Sequence, residues 1–406
     1  MRILQLSKKF PFPPKDGESI AILQMSKALH NSGCEMSLLA MNTSKHRVDL
    51  TNGLPKELAY YHRIETVNVD NKIRWSEAFK NIFSEESYHI TRFVSAEFSL
   101  KLEQLLQEKT YDIIQLETLY LAPFLSIIKK YSKAMVVLRA HNIEHEIWQR
   151  IAMQVPSLPK KLYLNYLSKK LRNFEIKSLN DYDFLVAITD RDLVQFKSLG
   201  YKNGCLASPV GFEVLDNQID YSAFNRPMML SFIGSLDWMP NIEAVRWFVQ
   251  EVWPVLMNKF PDLQLHIAGR NAPKDISDIN QKNIFFHGEV RDSTEFLNRY
   301  PILIVPVFAG SGIRVKILEA MSLGRIVISS SIGLEGISAK HKDQVFIANS
   351  VEDFVESISQ CRSRYDTLRQ IGENARNFVI ENFENSKLAG KLIHAYKKAL
   401  HSHSLL

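Results

Sequence analysis

The chain has 406 residues, 46% of them hydrophobic and 23% charged, with a formal net charge of +6. That length suits two domains rather than one core, and the composition excludes a disordered, collagen-like or low-complexity chain. The longest run without a charge, Tyr300 to Ile313, is about fourteen residues, against roughly 20 apolar residues for a membrane-spanning helix.

Taken in chain order, the start MRILQLSKKFPFPP lacks a secretory apolar region, because Lys8 and Lys9 interrupt it. The expected location is therefore cytoplasmic. Ile3–Leu6, Ser37–Met41, Asp112–Leu116, Met135–Leu138 and Phe184–Ile188 read as strands buried on both faces. Ser19–Asn31, Ala96–Glu108 and Glu144–Leu179 read as the helices between them. After the polar stretch Phe212–Pro227 the theme repeats. Met229–Ile233, Leu263–Ala268, Ile284–His287, Ile302–Val307, Ile326–Ser329 and Val345–Ile347 read as strands. Asn241–Asn258, Ser293–Arg299, Ile313–Leu323 and Val351–Arg362 read as helices, and residues 365–402 as helical to the end. Such alternation predicts an α/β fold with parallel sheets and right-handed crossovers. Two series predict two Rossmann-like doubly wound domains facing a cleft, with ligands beyond the carboxyl ends of the strands. The expected domains are 1–214, 215–380, and a helix over 381–406 that crosses back to the first domain.

Cys34, Cys205 and Cys361 are odd in number and far apart, which supports neither a disulfide framework nor a zinc ribbon. The charge excess has a location. Residues 1–200 hold 28 Lys+Arg and 22 Asp+Glu, whereas residues 201–406 hold 22 of each. Part of the excess is the run from Pro159 to Lys177, with six bases and one acid. Nucleic acid is not expected, since no nucleic-acid motif accompanies the charge. Leu162, Leu164, Leu167 and Leu171 interleave with tyrosines and lysines there, so residues 159–177 read either as a core-packed helix with a basic outer face or as a peripheral membrane contact.

The strongest local signal is ILIVPVFAGSGIRVKILE, Ile302 to Glu319. A strand runs into Gly310-Ser311-Gly312, and the predicted helix begins near Ile313. Glycines permit close backbone approach, and a helix N-terminus favours phosphate. Arg314 and Lys316 add two cations. Gly312, Lys316 and Glu319 lie at i, i+4 and i+7 and share one predicted helix face. The same residues also fit a plain glycine turn followed by an ordinary i,i+3 Lys–Glu pair. His141 and Glu117 each follow a predicted strand, as residues lining a ligand site do. Gly17, beside Asp16, precedes the first predicted helix and would let a phosphate approach the backbone.

Four segments carry a resemblance: FPFPPKDGESIAI (Phe10 to Ile22), LRAHNIEHEIWQR (Leu138 to Arg150), FIGSLDWMPNIEAVRWF (Phe232 to Phe248) and GSGIRVKILEAMSLGRIVISSSIGLEGI (Gly310 to Ile337). In order and spacing they resemble glycosyltransferases of the GT-B fold, family 4. The resemblance implies a transferase that moves a sugar from a nucleotide diphosphate sugar to an acceptor hydroxyl with retention, in polysaccharide or glycolipid assembly. It implies that the C-terminal domain binds the donor, through Gly234, Ser235, Ser311, Gly312, Arg314, Lys316 and Glu319, with Gly17 approaching from the N-terminal domain. In the family's E-x7-E motif the second glutamate holds the ribose, and Glu319 matches it. The first position is Ser311, a departure. A second departure is the loop GSLDWMPN, where Ser235 stands near the family's arginine and no lysine follows. Arg314 and Lys316 are the expected replacements at the diphosphate.

The HN-x-E context of His141 resembles the family histidine that reaches the donor sugar, which makes His141 the expected catalytic residue. Glu117 is the expected acceptor contact. Glu18 stands where the family has a second glycine and either crowds the loop or contacts the acceptor. Glu144 is expected to cap its helix. No carboxylate nucleophile is evident, so a front-face substitution is expected rather than double displacement. Neither a metal nor another cofactor is expected. The expected partners are a nucleotide diphosphate sugar and a carbohydrate or glycolipid acceptor. Two alternatives remain: a degenerate nucleotide-sugar-binding partner protein, favoured by Ser311, and a GT-B-like epimerase. An NAD enzyme is disfavoured, since no G-x-G-x-x-G follows the first strand.

Overall fold

The computed structural model describes the chain except residues 15, 16, 45, 46, 50–52, 73–80, 82, 83, 85, 156, 214–219, 226, 310–312, 364–367 and 404–406. The chain divides into two compact units, Met1–Gly211 with Asn385–Leu406, and Phe212–Glu384.

The first unit is built on a seven-stranded sheet, all parallel. Its strands are β1 (Arg2–Ser7), β2 (Glu35–Thr43), β3 (Arg63–Val69), β4 (Ile113–Leu116), β5 (Met135–Ala140), β6 (Phe184–Ala187) and β7 (Gly204–Ala207), in the order β3-β2-β1-β4-β5-β6-β7. Apolar runs such as Ile3, Leu4 and Leu6 are fully covered, because helices pack on both faces of a parallel sheet. The order reverses between β1 and β4, and the crevice at that switch point is where such sheets bind ligands.

Two edge strands, β3 and β7, carry no apolar run and were not expected. β3 presents Arg63 and Glu65, and Arg63 pairs with Glu108 at 2.6 Å, which suits an edge exposed to water. The helix expected over Glu144–Leu179 is two helices. After α1 (Gly17–Asn31) and α2 (Ala96–Glu108) come α3 (Glu144–Gln154) and α4 (Leu158–Ser178). Val155 leaves the helical region at φ −79°, ψ 121°, as a residue before proline does, and Pro156 follows it.

The second unit holds β8 (Met229–Ile233), β9 (Gln264–Ala268), β10 (Ile284–Phe286), β11 (Ile302–Val305), β12 (Ile326–Ser329) and β13 (Phe346–Ile347), in the order β10-β9-β8-β11-β12-β13. All pairings are parallel, and the switch point lies between β8 and β11. Helices α5 (Ser293–Arg299) and α6 (Val315–Ser322) flank β11 in sequence, and α7 (Leu368–Phe383) ends the unit. The expected helix start near Ile313 is corrected. Arg314 is extended at φ −83°, ψ 92° and occupies the N-cap position of α6. The helix face therefore begins with Lys316 and Glu319. Gly310, Ser311 and Gly312 lie outside the described residues.

The last helix, α8 (Asn385–His403), belongs to the first unit. Leu388, Ala389, Leu392 and Tyr396 are buried with Leu29, Met36 and Phe184 in one apolar cluster. Tyr396 meets Phe184 edge-on at 5.7 Å between ring centroids. The first unit thus completes its core with residues from the far end of the chain. Leu392→Ala is expected to cost about 2–5 kcal/mol, the usual range for emptying a fully buried leucine site. A urea titration of the intact chain reads this as a lowered midpoint, and an unchanged midpoint would show that α8 is dispensable to that core.

Candidate functional site

In the first unit the carboxyl ends of β1, β4 and β5 converge on one buried carboxylate. Glu117 follows β4 and has no exposed surface. Its Oε1 accepts from the side-chain amides of Gln5 and Gln115, at 2.5 and 2.6 Å. Its Oε2 accepts from Arg139 Nη1 at 3.3 Å and lies 3.0 Å from His141 Nε2. Gln5 and Gln115 are register partners across β1 and β4. Their carbonyl oxygens accept in turn from the hydroxyls of Tyr61 at 2.6 Å and Tyr396 at 2.8 Å. Burial pushes the Glu117 pKa up, but the Arg139 guanidinium, His141 and the Gln5 amide outweigh it and hold the group at about 2. The expected acceptor contact at Glu117 is therefore corrected. Both of its oxygens are committed inside the protein, and what it does is orient His141.

His141 stands just past β5 with a side chain only 7% exposed. Among the described residues its one polar partner is Glu117, through Nε2. Close by, Glu18 in the first turn of α1 pairs with Lys8 at 3.2 Å and with Lys9 at 3.6 Å. Burial raises the Glu18 pKa, and Lys8, His141 and Lys9 together bring it below its ordinary value. Glu18, expected to crowd the loop or contact the acceptor, is held by these two lysines. Gly17 opens α1, and a Cβ there would meet nothing within 4 Å, so the space before it is open. Asp16 lies outside the described residues.

The expected capping role of Glu144 is also corrected. Its carboxylate accepts from Tyr120 Oη at 2.9 Å, and burial raises its pKa against the pull of Lys8. The backbone N–H groups of Glu144 and His145 instead donate to Glu175 of α4, at 3.1 and 3.3 Å. Glu175 also takes His145 Nδ1 at 2.6 Å. A carboxylate reached across the hairpin supplies what a capping side chain would.

In the second unit, β8 ends at Ile233 and is followed by Gly234 and Ser235. A Cβ on Gly234 would lie 2.8 Å from Asn241 Nδ2, and one on Gly269 would lie 2.2 Å from the Gly234 carbonyl oxygen. The loop after β9 can lie this close to the loop after β8 only because position 269 is glycine, and Gly234 leaves room for the Asn241 side chain. Ser235 Oγ donates to Asp237 at 2.7 Å and accepts from Arg270 Nε at 2.9 Å. Asn271 Nδ2 donates to the other Asp237 oxygen at 3.0 Å. Arg270, two residues past β9, is an exposed cation at a strand end that sequence reasoning missed. The strand-end rule that singled out His141 would have found it.

Past β11, Arg314 is not a solvated helix residue. Its side chain is 9% exposed, Nη1 lies 3.8 Å from Glu335, and the guanidinium stands 5.9 Å from the centre of the Trp238 ring. Burial lowers its pKa and Glu335 opposes that shift. Lys316 donates to Glu319 Oε2 at 2.7 Å, the ordinary i,i+3 pair. Glu319 Oε1 accepts from Ser293 Oγ at 2.5 Å and from Thr294 Oγ1 at 3.4 Å, both at the start of α5. The second unit thus brings Arg314, Lys316 and Glu319 to one strand end, and Gly234, Ser235 and Arg270 to the neighbouring ones.

Comparison with known proteins adds the following. Residues 227–363 match the model of the family described as glycosyl transferases group 1. The chain is 25% identical over 407 residues to a Klebsiella pneumoniae protein described as an uncharacterized 44.6 kDa protein in the cps region, covering 95% of this chain and 97% of that one. The structure of Anabaena HepE in complex with UDP and glucose is similar with a TM-score of 0.60 and 14% identity, over 98% of this chain and 99% of that one. Sucrose-phosphate synthase from Thermosynechococcus elongatus is similar with a TM-score of 0.65 and 14% identity, over 99% of this chain and 100% of that one. With two parallel-sheet α/β units, these likenesses establish the Rossmann-like GT-B fold expected from the sequence.

The Glu117 network sets a pH expectation. Its folded pKa of about 2 lies below the ordinary 4.5, so its ionised form stabilises the fold above that value, and the contribution is lost as pH falls towards 2. Glu117→Gln leaves Arg139 buried without its carboxylate, an unpairing that typically costs about 3–5 kcal/mol. Denaturant unfolding over a pH series is expected to show a large loss at neutral pH and a flatter acid dependence in the variant. Parallel pH profiles for the two proteins would contradict the assignment.

Proposed function

We propose that the protein is a retaining glycosyltransferase that moves a sugar from a nucleoside diphosphate sugar to an acceptor hydroxyl, in polysaccharide or glycolipid assembly. The observation that carries this reading is the Arg314–Lys316–Glu319 constellation past β11, inside the stretch that matches glycosyl transferases group 1. The UDP and glucose held by the HepE structure support a nucleoside diphosphate sugar as donor. The cps region named for the Klebsiella relative supports a polysaccharide product.

In this reading Glu319 accepts from the ribose hydroxyls, which displace Ser293 and Thr294 from Oε1. Arg314, Lys316 and the exposed Arg270 face the diphosphate, where fixed cations stabilise the charge that grows as the sugar–phosphate bond breaks. His141 hydrogen-bonds the donor sugar and is kept in place by Glu117. Near His141, Glu117 is fully buried and Glu18 is paired with lysines, which argues against a protein nucleophile and favours the front-face route. The bond from the anomeric carbon to the phosphate oxygen breaks, the bond to the acceptor oxygen forms, and the acceptor proton passes to the departing phosphate. The protein supplies position and charge.

Calorimetry with UDP, GDP, ADP and CMP is the first test. One diphosphate is expected to bind selectively, and Glu319→Ala to weaken it by about tenfold or more, the loss of one or two hydrogen bonds to a charged acceptor. Equal binding by wild type and Glu319→Ala would remove the donor-site assignment. His141→Ala is expected to keep nucleotide binding and to lower transfer by about 100-fold, the scale of a lost transition-state contact. Sugar transfer that needs an added acceptor, followed by anomeric analysis of the product, separates this reading from an epimerase and from a binding protein without turnover.

A further inference from the structure

Of the two cations carried past β11, Lys316 is held from within its own helix, by Glu319. Arg314 is not. It stands at the N-cap of α6, before the first helical turn, and the acid of that helix is already shared among Lys316, Ser293 and Thr294. The carboxylate that meets Arg314 comes from another loop. Glu335 Oε2, beyond the end of β12, lies 3.8 Å from Arg314 Nη1.

The loop that carries Glu335 is tied down. β12 lies beside β11, with Ser329 opposite Val305, so the two strands end side by side. Ser329 Oγ donates to the Val305 carbonyl at 3.2 Å, and Ser330 Oγ donates to the Val307 carbonyl. The Gly333 N–H donates to Ser330 Oγ at 2.9 Å. A Cβ on Gly333 would lie 2.2 Å from Ser329 Oγ and 3.1 Å from the Val305 oxygen, so only glycine fits this turn. Leu334 and Ile337, on either side of Glu335, are buried in the core of the unit. The Glu335 backbone is therefore fixed, while its side chain stays 44% exposed.

The second wall of Arg314 is Trp238, on the loop after β8, with its ring centre within cation–π range of the guanidinium. Carboxylate and indole thus reach one nearly buried arginine from two different loops. A long side chain loses rotamer freedom when it is fixed, and a buried charge without a partner is costly, so a guanidinium without these walls turns to water. With them it is aimed before a ligand arrives, which lowers the cost of binding one.

We propose that Glu335 is a positioning residue of the donor site: from the turn after β12 it holds the Arg314 guanidinium, against Trp238, in the orientation that meets the donor diphosphate. The proposal rests on the transferase reading above, in which Arg314 faces that diphosphate. Glu335 touches no donor atom in it and acts only through Arg314.

The experiment is calorimetry on the full chain with UDP and UMP, GDP and GMP, ADP and AMP, and CDP and CMP. For the base that binds, the ratio of diphosphate to monophosphate affinity isolates the outer phosphate. Arg314→Ala is expected to lower that ratio about tenfold, the scale of a lost hydrogen bond to a charged group. Glu335→Ala is expected to lower it by about three- to tenfold and to leave monophosphate affinity and the urea midpoint unchanged, which a merely structural role would not do. Glu335→Gln keeps an accepting oxygen and is expected to restore part of the loss. In an Arg314→Ala background, Glu335→Ala is expected to change the ratio no further, because the two side chains act as one unit. A wild-type ratio in Glu335→Ala, or losses that add in the double variant, would overturn the proposal. A raised ratio in Glu335→Ala would also overturn it, by showing that Glu335 only competes with phosphate for the guanidinium. Equal loss of monophosphate and diphosphate would do the same, by showing a general loss of the fold. A wild type that binds none of the nucleotides would overturn the donor-site reading itself, and this proposal with it.

Discussion

A carboxylate sealed from water is expensive to keep charged, and Glu117 is kept charged. Its environment answers the cost with four donors, from Gln5, Gln115, Arg139 and His141. A buried ion survives only when its lone pairs are filled in good geometry. Filling them fixes much of the first unit. Gln5 must face Gln115 across β1 and β4, which sets that register. Tyr396 must reach Gln115 from the last helix, 281 residues away in sequence. His141, just past β5, is thereby anchored to the sheet rather than to a loop, and the chain's own end closes the arrangement. A polar network of this kind is costly when half satisfied and specifying when complete.

The second unit solves the matching problem differently. Its strand-end residues sit on loops rather than in the sheet. The loops after β8 and β9 approach closely because position 269 is glycine, and they are tied through Ser235, Asp237, Arg270 and Asn271. Arg314 is turned inward against Trp238 and Glu335, while Lys316 and the start of α5 fix the Glu319 carboxylate. Every one of these side chains stands at or just beyond a strand's carboxyl end, where a parallel sheet leaves room for a ligand.

Legibility followed apolar runs. All six strands of the second unit were readable, because each is a short, mostly apolar run, the edge strands β10 and β13 included. β3 and β7 were not, because Arg63 and Glu65 interrupt the first and the second is only four residues opening on a glycine. The break between α3 and α4 was written in Pro156 but masked by a helical pattern on either side. At the site, the residue types just past the strands were readable one at a time. Their partnerships were not. That Glu117 faces Gln5, Gln115 and Arg139 depends on the register of three strands, and that Glu175 caps α3 depends on the fold of a hairpin. No spacing within either segment encodes these meetings.

The charge on Glu117 also decides which way His141 presents itself. An ionised carboxylate only accepts, so the ring nitrogen that meets it, Nε2, carries a proton. The neutral ring then offers Nδ1 as a lone pair, and the protonated ring offers it as a donor. Arg139 donates to the same carboxylate oxygen, at 3.3 Å, so one oxygen holds both the guanidinium and the ring in place. The buried carboxylate thus does two things at once. It fixes the ring in space, and it fixes that the ring nitrogen facing it, Nε2, is the one that carries a proton.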